Sequence, residues 1–194
     1  MRTGHAVGEL LLVTGGARSG KSRFAERIAA ASGRPVTYVA TMETLDDEVR
    51  ARIARHRAER PAGWTTVEAP LAIVEAVRTA APDDCVLLDC LSLWTSNRLL
   101  ALGDDVSVEA LADLERALEA EIDALHDAVR ARTGDVILVT NEVGGGLVPE
   151  YPLGRAYRDL LGRVNQRASL LAARAWLLVA GRALPLPPPD APLT

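Results

Sequence analysis

Two patterns of apolar spacing alternate along this chain. The runs Glu9–Thr14 (ELLLVT), Pro35–Ala40 (PVTYVA), Cys85–Asp89 (CVLLD), Asp135–Thr140 (DVILVT) and Ala175–Ala180 (AWLLVA) are almost continuously apolar. Runs of that length predict strands buried on both faces of a parallel sheet. Trp64–Glu68 (WTTVE) is a shorter strand candidate. Between the strands the apolar positions recur every three or four residues. Lys21–Ser32 is helical by composition, with Gly33 placed to stop it. Leu45–Arg60 carries Leu45, Val49, Ile53 and His56 on one stripe before Pro61 breaks it, and Leu71–Ala80 and Arg155–Arg174 are further helices. The longest stripe, Val108, Leu111, Leu114, Leu118, Ile122, Leu125 and Val129, follows a Ser107 cap and ends at Thr133-Gly134. Strands alternating with helices predict an α/β fold, a mostly parallel sheet with right-handed crossovers and helices against it. One domain is expected over 9–182, after an N-terminal arm at 1–8. The tail at 183–194 has five prolines in the eleven residues from Leu184 and is expected to be disordered or extended.

Composition narrows the class. The chain has 194 residues, 48% of them hydrophobic but only 4% aromatic, so Leu, Val, Ala and Ile must fill the core. Its formal net charge is −4, which disfavours a general nucleic-acid binder. No run of apolar residues is long enough to insert in a membrane, and no secretory signal pattern is present, so a cytoplasmic location is expected. Cys85 and Cys90 are spaced for neither a metal site nor a redox motif, and read as reduced core thiols.

Of the 22 cationic side chains, Lys21 is the one lysine. It lies in Gly15-Gly16-Ala17-Arg18-Ser19-Gly20-Lys21-Ser22, a full match to the phosphate-cradling pattern G-x-x-x-x-G-K-[ST]. The glycines let successive N–H groups turn toward phosphate, the following helix adds its positive end, and the compact ammonium reaches between phosphates. A nucleoside triphosphate is the expected ligand, with Ser22 on Mg²⁺. Asp89 ends an apolar strand, where it either shares that metal or caps the next helix. Ligands on such sheets bind beyond the C-terminal strand ends, so the P-loop, the loop after Ala40, Asp89 and Asn141-Glu142 should meet at one edge. Asn141-Glu142 could sense the γ-phosphate or orient a nucleophile there. Glu68 is another acceptor at this edge. Five arginines fall between Arg50 and Arg60, around His56. They form either a solvated helix face or a clamp for phosphate oxygens. His56, on the stripe of Val49 and Ile53, is either half-buried and structural or a nucleophile toward phosphorus. His5 and His126 receive no role.

With those residues in view, the chain resembles the bifunctional adenosylcobinamide kinase/adenosylcobinamide-phosphate guanylyltransferase family of cobalamin biosynthesis. The resemblance runs from about Leu10 to Gly181. It rests on LVTGGARSGKSRFAE (Leu12–Glu26), YVAT (Tyr38–Thr41), DDEVRARIARHRAERPAGWTTVE (Asp46–Glu68), LLDCLSLWTSN (Leu87–Asn97), VTNEVGGGLVPEYPLGRAYRDLLGRVNQ (Val139–Gln166) and the closing strand. It implies a RecA-like P-loop fold and a homo-oligomer, a propeller-shaped trimer. It also implies two reactions: phosphorylation of the adenosylcobinamide hydroxyl by ATP or GTP, and transfer of GMP from GTP to the product through a guanylyl-histidine, here His56. The family's nucleotide contacts fall on Gly15 to Ser22, on Ala40, Thr41 and Met42, on Arg57, Ala58, Glu59 and Arg60, and on Glu68 and Asp89, with Lys21 and His56 catalytic. Where some members have a His pair, this chain has Arg55-His56, and its arm and tail lie outside the family pattern. The alternative is a P-loop kinase for a small molecule without a covalent nucleotidyl step. A nucleotide-dependent assembly ATPase is a third class.

Overall fold

The computed structural model describes residues 7–42, 61, 63–103 and 106–189. Each continuous apolar run is a strand: β1 Leu10–Gly15, β2 Val36–Ala40, β4 Cys85–Asp89, β5 Val136–Asn141 and β6 Arg174–Val179, with the shorter β3 at Thr65–Glu68. The helices between them are α1 Lys21–Ala31, α2 Ile73–Thr79, α3 Leu91–Leu100, α4 Val108–Arg130 and α5 Pro152–Leu171. A final strand, β7 Arg182–Leu186, completes a seven-stranded sheet of order β3-β2-β4-β5-β1-β6-β7. Every pairing is parallel except β6 with β7. The expected α/β class, a mostly parallel sheet flanked by helices, is the one observed.

Alternate residues of the buried strands feed two cores, which is why the runs read as uniformly apolar. Leu10, Leu12, Val86, Leu88, Val136 and Leu138 pack against α2 to α5, with Trp94, Leu118, Ile122 and Val164 fully buried among them. Leu11, Val13, Tyr38, Leu87, Ile137 and Val139 face α1 through Ala25 and Ala29. Ser107 caps α4 as expected, its hydroxyl accepting from the Ala110 N–H at 3.2 Å. Gly33, at φ +68°, stops α1 in the left-handed conformation that favours glycine.

Two elements go beyond the sequence reading. The tail from 183, expected to be disordered or extended, is extended as far as Leu186, where it belongs to β7. Ala180 and Gly181 both take positive φ, 51° and 78°, and so make the tight turn of a hairpin. An Ala-Gly pair is a weak sequence cue for that turn, because alanine seldom adopts it. Pro185 is tolerated because β7 is an edge strand. Helix α3 was not anticipated, since Ser92, Thr95 and Asn97 interrupt its apolar stripe.

Arg132 ties the opposite edge of the sheet together. It is 6% exposed and donates to the carbonyls of Val77, Ala81, Asp84 and Gly134 at 2.7–3.2 Å. Charge-assisted bonds of this kind are the stronger ones, and buried carbonyls left without donors are costly. Arg132→Met should lower the unfolding free energy by about 3 kcal/mol. Urea denaturation with an unchanged m-value would show it.

Candidate active site

The connection from β1 to α1 forms the centre of the C-terminal sheet edge. Gly15 permits it sterically: a Cβ there would stand 2.5 Å from the Leu178 carbonyl oxygen and 2.7 Å from Ser19 Oγ. Arg18 and Gly20 take positive φ, 57° and 93°, and turn the backbone into the first residues of α1. Gly16 faces open space. The first-turn N–H groups of α1 have no partner within the helix and so present a ready anion site. Lys21 folds back over this loop, its Nζ donating to the Gly16 carbonyl at 3.2 Å. A phosphate entering the loop offers that ammonium a charged acceptor in place of a neutral one. The hairpin turn braces the loop from outside, with Gly181 N–H donating to the Ser19 carbonyl at 2.8 Å. The hydroxyls of Thr14 and Ser19 are buried here without a hydrogen-bond partner from the protein.

The other strand ends arrive beside this loop. Asp89 closes β4, in register with Ala40, and its Oδ2 accepts from the Tyr38 hydroxyl at 2.8 Å. Thr41 is wholly buried. Its hydroxyl donates to the Cys90 carbonyl and accepts from the Cys90 N–H, both at 2.8 Å. Asn97 then joins two strand exits with one carboxamide, donating to Thr41 O at 2.8 Å and Pro70 O at 3.0 Å. Met42 follows Thr41 and is half-buried, while Glu68 ends β3 opposite Ala40 and is exposed. The structure therefore brings Gly15 to Ser22, Ala40 to Met42, Glu68 and Asp89 to one edge, as anticipated. His56, Arg57, Ala58, Glu59 and Arg60, with the arginines that precede them, lie outside the described residues.

Strand β5 stands between β4 and β1 and brings Asn141 into register with Gly15. The Asn141 amide donates to Ser92 Oγ at 3.0 Å, so this side chain braces α3 against β5. Asn165 of α5 supports it, bridging the Asn141 carbonyl and the Thr140 hydroxyl at 2.9 and 2.7 Å. Glu142 donates its N–H to the Gly15 carbonyl at 3.0 Å, and its carboxylate Oε1 accepts from Gly144 N–H. The polar set Tyr38, Ser92, Asn97 and Asn165 was missed in sequence. Its one signal is polar residues inside otherwise buried stretches, which does not reveal their partners.

Both cysteines are free and buried. Burial pushes the Cys85 thiol up to about 11. Burial, with the Asp89 carboxylate adding to it, also raises Cys90, whose sulfur lies 2.9 Å from Ser92 Oγ. Neither is poised as a nucleophile. Ser22, in the first turn of α1, and Asp89 offer hard oxygen donors. That donor set suits Mg²⁺, which takes the rest of its shell from phosphate and water.

A glycine-bent loop opening a helix after a buried strand, with a carboxylate at the end of a nearby parallel strand, defines a P-loop nucleotide-binding α/β protein. Within that class, the chain belongs to the cobinamide kinase / cobinamide phosphate guanyltransferase family, whose sequence pattern matches residues 11–186. It is 47% identical over 176 residues to the bifunctional adenosylcobalamin biosynthesis protein CobU of Salmonella typhimurium, covering 89% of this chain and 96% of that protein. It is 44% identical to the protein of the same name from Escherichia coli, covering 89% and 96%. The CobP protein of Pseudomonas aeruginosa is also 44% identical, over 90% and 95% of the two chains. Among solved structures, the flagellar accessory protein FlaH from Methanocaldococcus jannaschii is a distant likeness, at 16% identity and TM-score 0.46, covering 93% of this chain and 76% of that one. No helix among the described residues is long and apolar enough to cross a membrane.

Proposed function

We propose that this chain carries out both reactions of its family at one nucleotide site. In the first, the γ-phosphoryl group of ATP or GTP passes to the hydroxyl of adenosylcobinamide. In the second, His56 takes GMP from GTP, releasing pyrophosphate, and passes it to adenosylcobinamide phosphate to give adenosyl-GDP-cobinamide. The observation that carries this reading is the convergence of Gly15 to Ser22, Ala40 to Met42, Glu68 and Asp89 on one sheet edge, in a chain of this family. In sequence, His56 follows Met42 and precedes Glu68, two residues of that edge.

In this reading the P-loop N–H groups and Lys21 hold the triphosphate. Ser22 and Asp89 hold Mg²⁺, which neutralises charge on the phosphate oxygens when bound. Tyr38 fixes the Asp89 carboxylate through one oxygen. Arg57 and Arg60, with Ala58, Glu59 and Glu68, complete the GTP contacts. We place the enzyme in the cytoplasm, a reducing compartment that suits its two free thiols. We also propose a homo-oligomer, a trimer by family resemblance, with the corrinoid across a subunit boundary.

Incubation with GTP labelled at the α-phosphate, followed by denaturation, tests the reading. An acid-labile, base-stable label on the protein is expected. A kinase without a covalent step would transfer γ-label alone, and family membership does not favour it. Asp89→Asn keeps the size of the side chain and an acceptor for Tyr38 but removes the charge. It should weaken Mg²⁺ affinity at the nucleotide site by about 10–100-fold, read as a shifted Mg²⁺ midpoint in a fluorescent-GTP titration. Nucleotide binding in EDTA should stay unchanged.

A further inference from the structure

The two proposed reactions ask different things of the protein. Guanylyl transfer has its own nucleophiles: a neutral imidazole first, then a phosphate oxygen that is already ionised. The kinase step attacks with a neutral hydroxyl, which must shed a proton as the new O–P bond forms. Among the described residues, three carboxylates end or follow strands at the nucleotide edge: Asp89, Glu68 and Glu142. Asp89 is bound to Tyr38 and sits where a metal ligand belongs. Glu68 lies on β3, the outermost strand, with β2, β4 and β5 between it and the P-loop strand. Glu142 is the one whose backbone bonds the P-loop itself, by its N–H to the Gly15 carbonyl at 3.0 Å.

We propose that Glu142 is the catalytic residue that receives the corrinoid hydroxyl in the kinase step, a role that rests on the bifunctional reading above. Its position is fixed on both sides. Residue 141 pairs with Gly15 in the β5–β1 ladder, and the Asn141 carbonyl is held by Asn165. The carboxylate is anchored through Oε1 by the Gly144 N–H, and the residue remains exposed to a substrate arriving from solvent. The glycine-rich loop beyond it is itself strapped down. Arg158 of α5 donates to the Gly144 carbonyl at 2.6 Å and to the Gly146 carbonyl at 3.3 Å. A carboxylate held this way is preorganised rather than swinging on a free loop. In the step, the hydroxyl oxygen bonds the γ-phosphorus, the bond from the γ-phosphorus to the β–γ bridging oxygen breaks, the nucleoside diphosphate leaves, and the hydroxyl proton passes to the Glu142 carboxylate. Phosphoryl transfer has a loose transition state, so orientation of the hydroxyl matters as much as the proton.

The test is Glu142→Gln, which retains an acceptor for Gly144 N–H and removes the base. Phosphorylation of adenosylcobinamide should fall about 10²-fold in kcat, the lower end for a general base. GMP labelling of the protein from GTP, and GMP transfer to pre-formed adenosylcobinamide phosphate, should stay within threefold of wild type. Kinase turnover within threefold of wild type would overturn the proposal. So would an equal fall in all three readouts, which would make Glu142 a structural brace of the P-loop. Failure of the bifunctional reading is seen separately, as wild-type protein that takes no α-label at all.

Discussion

Lys21→Ala should remove both proposed activities while leaving the fold in place. The structural partner of the ammonium is a backbone carbonyl, Gly16, at 3.2 Å. Losing that surface contact should change stability by no more than about 0.5 kcal/mol. Losing the charge is a different matter. The kinase step builds charge around the γ-phosphate and the guanylylation step around the departing β- and γ-phosphates, and in the proposed reading the same ammonium serves both. Removing one preorganised donor of this kind costs about 10²–10³-fold in kcat, with weaker GTP binding in addition. Lys21→Arg should recover little, because a planar, five-donor guanidinium does not replace the compact point charge that an ammonium places between phosphates. Parallel assays with α- and γ-labelled GTP, beside a thermal melt, measure all of this. If either activity survives within tenfold in a folded Lys21→Ala protein, the two reactions do not share one triphosphate site.

What the sequence made legible follows from how each element is built. The strands buried on both faces announced themselves, since β1, β2, β4 and β5 carry almost no outward polar residue. The P-loop was equally plain, because its glycines and lysine are required by backbone geometry and charge, and neither depends on distant residues. Elements whose logic is tertiary stayed hidden. Helix α3 looks broken because Ser92 faces Asn141 and Asn97 faces two strand exits, contacts separated by 27 to 56 residues. The β6–β7 hairpin is signalled only by an Ala-Gly turn, and it forms against the P-loop that Gly181 contacts. Asp89 was legible as a strand-end carboxylate, but its orientation by Tyr38 was not. That hydrogen bond spans 51 residues and exists because β2 and β4 are neighbours.

His56→Ala should separate the two chemistries. The kinase step needs the P-loop, the metal ligands and a hydroxyl nucleophile, and none of these is His56, so phosphorylation of adenosylcobinamide should remain within about threefold of wild type. In the proposed mechanism the guanylyl step comprises two displacements at the α-phosphorus. In the first, a neutral imidazole nitrogen bonds phosphorus and pyrophosphate leaves. In the second, an oxygen of adenosylcobinamide phosphate bonds phosphorus and the P–N bond breaks. The phosphoramidate conserves transfer potential while pyrophosphate leaves and the bulky corrinoid phosphate arrives. Without the imidazole, GMP transfer should fall on the order of 10⁴–10⁶-fold, the scale of losing a nucleophile from a covalent mechanism, and the acid-labile label should vanish from the protein. Stereochemistry provides an independent readout. Two in-line displacements restore the configuration at the α-phosphorus, so GTP made chiral there with sulfur should react with net retention in the wild-type enzyme. Net inversion would mean direct attack by the corrinoid phosphate. A His56→Ala protein that still transferred GMP at a wild-type rate would move the covalent step, if there is one, to another side chain.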